Sequence, residues 1–166
     1  STDAMAEALE TDFALQNTFG LRDDIGTGEI SLRTLFAVMP FENTLVKMSL
    51  TGAQVEALLL HNFEGRVSRL QVSEALRVDY HPDPSTGRAA SISISLRGEP
   101  IERKRSYQVT VNSYMAEGGS CCAILKGLPH ENSGRSLRLT IRERIERERP
   151  LNAPASGRLL LKEAMP

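Results

Sequence analysis

Apolar residues change their spacing along this chain, and the changes divide it into helices and strands. Near the start, Ala4, Met5, Ala8 and Leu9 share one helical face, with Ser1, Thr2 or Asp3 available as cap. Phe13 to Gln16 is a short run that predicts a buried strand. Ser31 is placed to cap a second helix carrying Leu32, Leu35, Phe36 and Val38, and Pro40, which lacks an amide donor, stops it. Thr51 with Gln54 predicts a capping box ahead of the apolar stripe Val55, Leu58 and Leu59.

From Leu70 the repeat shortens to that of strands: Leu70 to Ser73, Leu76 to Tyr80, Ala90 to Leu96 and Tyr107 to Val111, with turns at Pro82 to Gly87 and Gly98 to Pro100. The middle of this region reads as a β-meander. Between Ser91 and Leu96 strict alternation puts serines on one face and Ile92, Ile94 and Leu96 on the other. Leu137 to Arg149 reads as a charged helix, in which Arg142 with Glu146, Glu143 with Arg147, and Arg144 with Glu148 stand one turn apart with opposite sign. The segment from Pro150 through Gly157 has linker composition, and Leu159 to Leu161 is expected to dock as a last short strand.

A length of 166 residues fits one domain spanning 1–166, with 150–166 as a docking extension. Lys and Arg total 20 against 21 Asp and Glu, so no global field attracts nucleic acid or an anionic membrane. Apolar runs such as Ala57 to Leu60 are far too short to span a bilayer. A secretory leader removed ahead of Ser1 is compatible with this start. Cys121 and Cys122 are neighbours, poor geometry for a bridge, so both are expected as thiols. His61, His81 and His130 have no paired spacing and read as surface or capping residues.

Candidate chemistry sits on loops. Asn17 and Arg22 flank a tight turn after the first strand, where a carboxamide can fix a base or backbone and a guanidinium can pair with phosphate. On spacing alone, the commoner reading is that Asn17 caps the turn and Arg22 makes a surface ion pair. Phe41 and Tyr114 follow structural stops on separate loops; they are either core residues or two faces for a flat ring. Gly118 and Gly119 follow the strand ending near Val111 and predict a turn that opens a helix, or a plain connector.

The stretch Tyr107 to Ser120, YQVTVNSYMAEGGS, resembles the Y-x-V-x-x-N-x-[YF]-x-A-x-GGDG signature of the 5'-nucleotidase C-terminal domain. Three further segments agree in order: Asn17 to Arg22 (NTFGLR), Gly28 to Asn43 (GEISLRTLFAVMPFEN), and Leu50, Thr51, Gly52 with Gln54. The resemblance implies an α+β (mixed α/β) fold, helices packed on largely antiparallel sheets. It also implies a substrate-binding set of Asn17, Arg22, Phe41, Asn43, Tyr114, Gly118, Gly119 and Ser120, with Phe41 and Tyr114 clamping a nucleobase.

By the same resemblance this chain is the substrate-specificity half of a periplasmic or extracellular hydrolase. A separate N-terminal metallophosphoesterase domain would carry two divalent metals and the catalytic groups, so the chain itself holds no cofactor, metal site or catalytic residue. Its expected partners are a nucleotide or nucleoside and that N-terminal domain. Several positions depart from the pattern: Thr18 and Phe19 stand where glycines are expected, Glu74 follows Ser73 in place of glycine, and Ser120 and Cys121 replace Asp and Gly. Serine supplies one hydroxyl where Asp would offer a charged bidentate acceptor to ribose. The alternatives are a UDP-sugar, cyclic-nucleotide or thiosulfonate hydrolase domain, or a non-catalytic module binding a small ligand or partner.

Overall fold

The computed structural model describes residues 1–64, 67–83, 85–86, 89–120, 122–152 and 156–162. Helix α1 (Thr2–Ala8) leads into β1 (Phe13–Asn17), a 3-10 turn (Thr18–Gly20) and α2 (Leu32–Val38). Strand β2 (Thr44–Thr51) runs directly into α3 (Gly52–His61), followed by the short β3 (Phe63–Glu64), β4 (Val67–Ser68) and β5 (Leu70–Val72). Next come β6 (Leu76–Pro82), β7 (Ala89–Leu96), β8 (Glu99–Pro100), β9 (Ser106–Asn112) and α4 (Ser113–Ala116). A second 3-10 turn (Ala123–Leu125), β10 (His130–Ser136), α5 (Leu137–Arg147) and β11 (Leu159–Leu161) complete the order.

Two larger sheets organise these elements, with β3 and β4 pairing separately. One has the order β10-β2-β9-β1-β5 and is antiparallel except where β1 and β9 run side by side in parallel. The other, β11-β6-β7-β8, is the expected meander with β11 added in parallel to β6. The architecture is therefore mixed α and β with largely antiparallel sheets.

Alternation along the strands assigns each face of the five-stranded sheet. Phe13, Leu15, Val46, Met48, Leu50, Val109 and Val111 face α3 and the second sheet, while Ala14 and Leu45 face α1, α2 and α5. Fully burying a side chain such as Phe13 contributes about 1.5 to 3 kcal/mol, and β1 is buried at all five positions. That burial has a consequence for its polar members, Gln16 and Asn17, which must find partners inside the protein.

Caps fall where the side chains foretold them. The Ser31 hydroxyl accepts from the Thr34 amide, and Thr51 and Gln54 form the reciprocal capping box. Leu35 and Val38 are buried on α2, but Leu32 and Phe36 are exposed. The first helix starts at Thr2 with Ser1, one of the three expected caps, at its N-cap, though the Ser1 side chain makes no capping bond. On α5, Arg142 pairs with Glu146 and Arg144 with Glu148. The Glu143 to Arg147 pair does not form: Arg135 takes Glu143, and Arg147 joins Arg144 on Glu7 of α1. Cross-element pairing wins because Leu137 and Ile141 bury the helix's apolar side against α1 and α2.

The N-terminal helix is tied to the C-terminal segment by Asp3, whose carboxylate meets Arg158 at 2.8 Å. Burial alone would raise the Asp3 carboxyl, but the Glu74 amide and the Arg158 guanidinium outweigh it and hold Asp3 below its ordinary value. Cys122 is a buried thiol. Cys121 and parts of the turn expected at 82–87 and of the tail lie outside the described residues.

Candidate functional site

The parallel pairing of β1 with β9 brings their C-terminal ends to one edge of the sheet. Strand β2, antiparallel to β9, starts at the same edge, with Leu45 opposite Asn112. Asn17, Asn43 and Asn112 are thereby gathered from three strand ends separated widely in sequence.

A buried carboxamide network fills the base of this region. Asn112 has no exposed surface; its Oδ1 accepts from the Met115 amide at 2.9 Å and so caps α4. Its Nδ2 donates to Gln16 Oε1 at 3.0 Å and to Asn17 Oδ1 at 2.8 Å. Asn17 Nδ2 in turn donates to Ser120 Oγ at 3.0 Å. Gly20 packs hard on the same groups: a Cβ there would lie 2.4 Å from Gln16 Nε2 and 2.9 Å from Asn17 Oδ1. Most of the hydrogen-bonding capacity of Asn17 is thus spent inside the protein, and one N–H remains for anything outside.

Above the network lies a cavity of about 300 Å³ lined by Asn17, Phe19, Gly20, Arg22, Phe41, Asn43, Tyr114 and Ser120. Six of the eight residues picked out from the sequence line it, brought from the end of β1, the segment after the 3-10 turn, the α2–β2 loop, α4 and the loop after it. Phe41 and Tyr114 are 48% and 53% exposed. They face a common space without forming a ring pair; the ring pairs among the described residues are Phe13 with Tyr107 and Phe63 with Tyr80. Among the described residues, no carboxylate stands within 4.0 Å of the Arg22 guanidinium, so its five donors are available to an anion.

Gly118 and Gly119 do not line the cavity. Contrary to the sequence expectation, they close a helix instead of opening one. The Asn112 cap starts α4 at Ser113, and Gly118, at φ +90°, ends it with its amide on Met115 O and that of Gly119 on Tyr114 O. Their contribution is room. A Cβ on Gly119 would sit 2.4 to 2.6 Å from carbons of the Tyr114 ring, so glycine lets the ring lie against the backbone.

Arg138 on α5 was not foreseen as part of this site. Its Nε donates to Met39 O at 2.8 Å and its Nη2 to Phe41 O at 3.2 Å, while the guanidinium stacks on Phe36, 4.0 Å from the ring centroid. It holds the loop that presents Phe41. Asn43 is fastened likewise: its carbonyl accepts from the Leu137 amide, and Ser113 Oγ donates to Asn43 Oδ1.

Among the described residues no group of three or more His, Cys, Asp or Glu is placed to hold a metal ion. His81 Nε2 lies 3.0 Å from Ser93 Oγ, and His130 Nδ1 lies 3.0 Å from Leu128 O. No helix among the described residues is long and apolar enough to cross a membrane. The cavity thus presents two half-exposed rings and the Arg22 guanidinium, and no carboxylate or histidine is among its described lining residues.

The family described as 5'-nucleotidase, C-terminal domain, matches residues 1–127. Protein UshA of Yersinia enterocolitica is 28% identical over 151 residues, covering 90% of this chain and 27% of that protein. The 5'-nucleotidase of Vibrio vulnificus is 28% identical over 148 residues, which are 88% of this chain and 26% of that relative. The chain thus spans about a quarter of the length of these curated relatives. Among solved structures, a 5'-nucleotidase precursor from Thermus thermophilus superposes with a TM-score of 0.81 at 28% identity, over 96% of this chain and 34% of that one. The NAD nucleotidase of Haemophilus influenzae shares the fold, with a TM-score of 0.74 at 19% identity, over 98% of this chain and 33% of that one. Matched by the family model over residues 1–127, more than half its length, the chain belongs to the 5'-nucleotidase family as its C-terminal domain.

Proposed function

We propose that this domain selects the substrate of a 5'-nucleotidase-like hydrolase, holding the base of a nucleotide between Phe41 and Tyr114 and its phosphate end on Arg22. Hydrolysis of the phosphoester would be metal-dependent and would belong to an N-terminal domain outside these 166 residues, which supplies the two divalent metals. The observation that carries this reading is the juxtaposition around one cavity of two half-exposed rings and an uncommitted guanidinium. An aromatic pair suits a heterocycle better than a thiosulfonate. Names among the relatives favour it in part: several are nucleotidases, while an endonuclease of Bacillus subtilis and the sulfate thiohydrolase SoxB of Thermus thermophilus share the fold or sequence as well. The Thermus thermophilus relative described as a precursor accords with a periplasmic or extracellular setting.

Calorimetry with AMP tests the reading. Base–aromatic stacking is worth about 1 to 3 kcal/mol, so Phe41→Ala is expected to weaken AMP about tenfold or more. A wild-type chain that fails to bind AMP, or a variant that binds it equally well, would overturn the proposal. The purified chain is also expected not to turn over AMP with added Mn²⁺ or Zn²⁺.

A further inference from the structure

We propose that Phe19 is a third aromatic wall of this cavity and makes its ligand selectivity depend on a planar ring. The inference rests on the nucleotide reading and deepens it. Phe19 is 60% exposed, more than Phe41 or Tyr114, yet it belongs to the same cavity lining. Single exposed phenylalanines are ordinary on protein surfaces; what distinguishes this one is that its backbone is pinned on both sides.

The Thr18 amide and hydroxyl both bind Arg69 O, at 2.9 and 3.1 Å. On the other side, Leu21 N closes on Thr18 O, and Arg22 N donates to Val38 O at 2.8 Å. Gly20 is wedged against Gln16 and Asn17 with no space for even one more carbon. The turn therefore cannot rotate to bury the Phe19 ring in the core, whose edge here is already filled by carboxamides. A ring held this way sheds water when a ligand occupies the cavity, and a flat one covers the most of its face.

The rest of the lining sharpens the choice. None of the described lining residues is acidic; Ser120 Oγ, which accepts from Asn17 Nδ2, still has its own O–H to give a sugar, but no charged bidentate acceptor stands there. Three rings and one guanidinium remain. Phe19 and Arg22 lie on the same short segment, which couples recognition of the ring to that of the anion.

The test compares AMP with ribose 5-phosphate, which shares the anion and sugar but has no base, by calorimetry on wild type, Phe19→Ala, Phe19→Leu and Phe19→Tyr. Loss of one stacking face predicts about a tenfold weaker AMP affinity in the Ala and Leu variants, retention of it in the Tyr variant, and unchanged ribose 5-phosphate binding in all. Equal AMP affinity in wild type and Phe19→Ala would overturn this inference while leaving the nucleotide site standing. So would a parallel loss for both ligands, which marks a disturbed turn, or full affinity in Phe19→Leu, which marks apolar bulk without stacking. A wild-type chain that binds AMP no better than ribose 5-phosphate would remove the nucleotide reading and this inference with it.

Discussion

Asn112→Asp is the sharpest probe of how the site edge is built, because it exchanges one NH₂ for oxygen in a residue without exposed surface. The cap of α4 survives, since a carboxylate oxygen accepts from the Met115 amide as the carboxamide does. Two other bonds do not. Gln16 Oε1 at 3.0 Å and Asn17 Oδ1 at 2.8 Å would each meet an acceptor where a donor had been. Leaving a buried acceptor unpaired costs about 1 to 3 kcal/mol; Gln16 Oε1 loses its partner outright, Asn17 Oδ1 keeps only the Gln16 Nε2 donor at 3.4 Å, and the buried charge drives the cost to the upper end of that range or beyond. That is a large share of the roughly 5 to 15 kcal/mol that holds a domain together.

Protonation would relieve part of this penalty by removing the charge and restoring one donor. The introduced carboxyl should thus titrate well above its unfolded value of about 3.9. A native state that binds the proton more tightly than the unfolded chain loses stability as pH rises. The penalty is therefore complete above the raised native value, shrinks as pH falls through it, and levels off below the unfolded value. Urea unfolding of wild type, Asn112→Asp and Asn112→Ala at about pH 8 and about pH 5 would measure it. Asn112→Ala, which loses the cap but introduces no charge, should show a penalty independent of pH over that range. An Asp variant within about 1 kcal/mol of wild type at the higher pH, or a penalty that does not shrink at the lower one, would refute the assignment of Asn112 as the donor at this junction.

Gly119→Ala drives a methyl into the Tyr114 ring, which being half exposed can swing aside; nucleotide affinity by calorimetry should fall about tenfold with little change in melting temperature. Arg138→Ala removes the donors to Met39 O and Phe41 O and should cost about 1 to 2 kcal/mol in urea unfolding. It should also weaken AMP and speed amide exchange in the loop bearing Phe41. Asp3→Asn tests the tie between the chain's two ends. Because the native Asp3 carboxyl titrates below its ordinary value, its pairing stabilises fully above about pH 4 and is lost as pH falls through the native value. The variant should therefore have a lower urea midpoint near neutral pH and should match wild type in strong acid.

Local signals carried much of the fold. Hydroxyl caps at Ser31 and Thr51 and the Ser/Ile alternation of β7 each depend on residues a few positions apart, and they came out as read. Strand β10, His130–Ser136, has no such signal: six of its seven residues are exposed, and it is a strand only because β2 offers an edge to pair with. The glycine pair misled for a similar reason, since the cap that starts α4 belongs to Asn112, six residues before Gly118.

The same distinction sorts the candidate site residues by role. A motif supplies residue types, but burial decides which of them still have valences to offer. Asn17 closes a strand buried along its whole length, so its carboxamide had to be satisfied by Asn112 and Ser120, 95 and 103 positions away. Arg22, five residues later and past the turn, is exposed and kept its donors. Arg138 was illegible because its acceptors are backbone carbonyls 97 and 99 positions distant, which no side-chain spacing encodes. Polar residues of the motif that lie on strands therefore build the buried base, and those that lie beyond them in turns keep their donors. The lining side chains left with open faces or donors are therefore Phe19 in the 3-10 turn, Arg22 just past it, Phe41 in the α2–β2 loop and Tyr114 on α4.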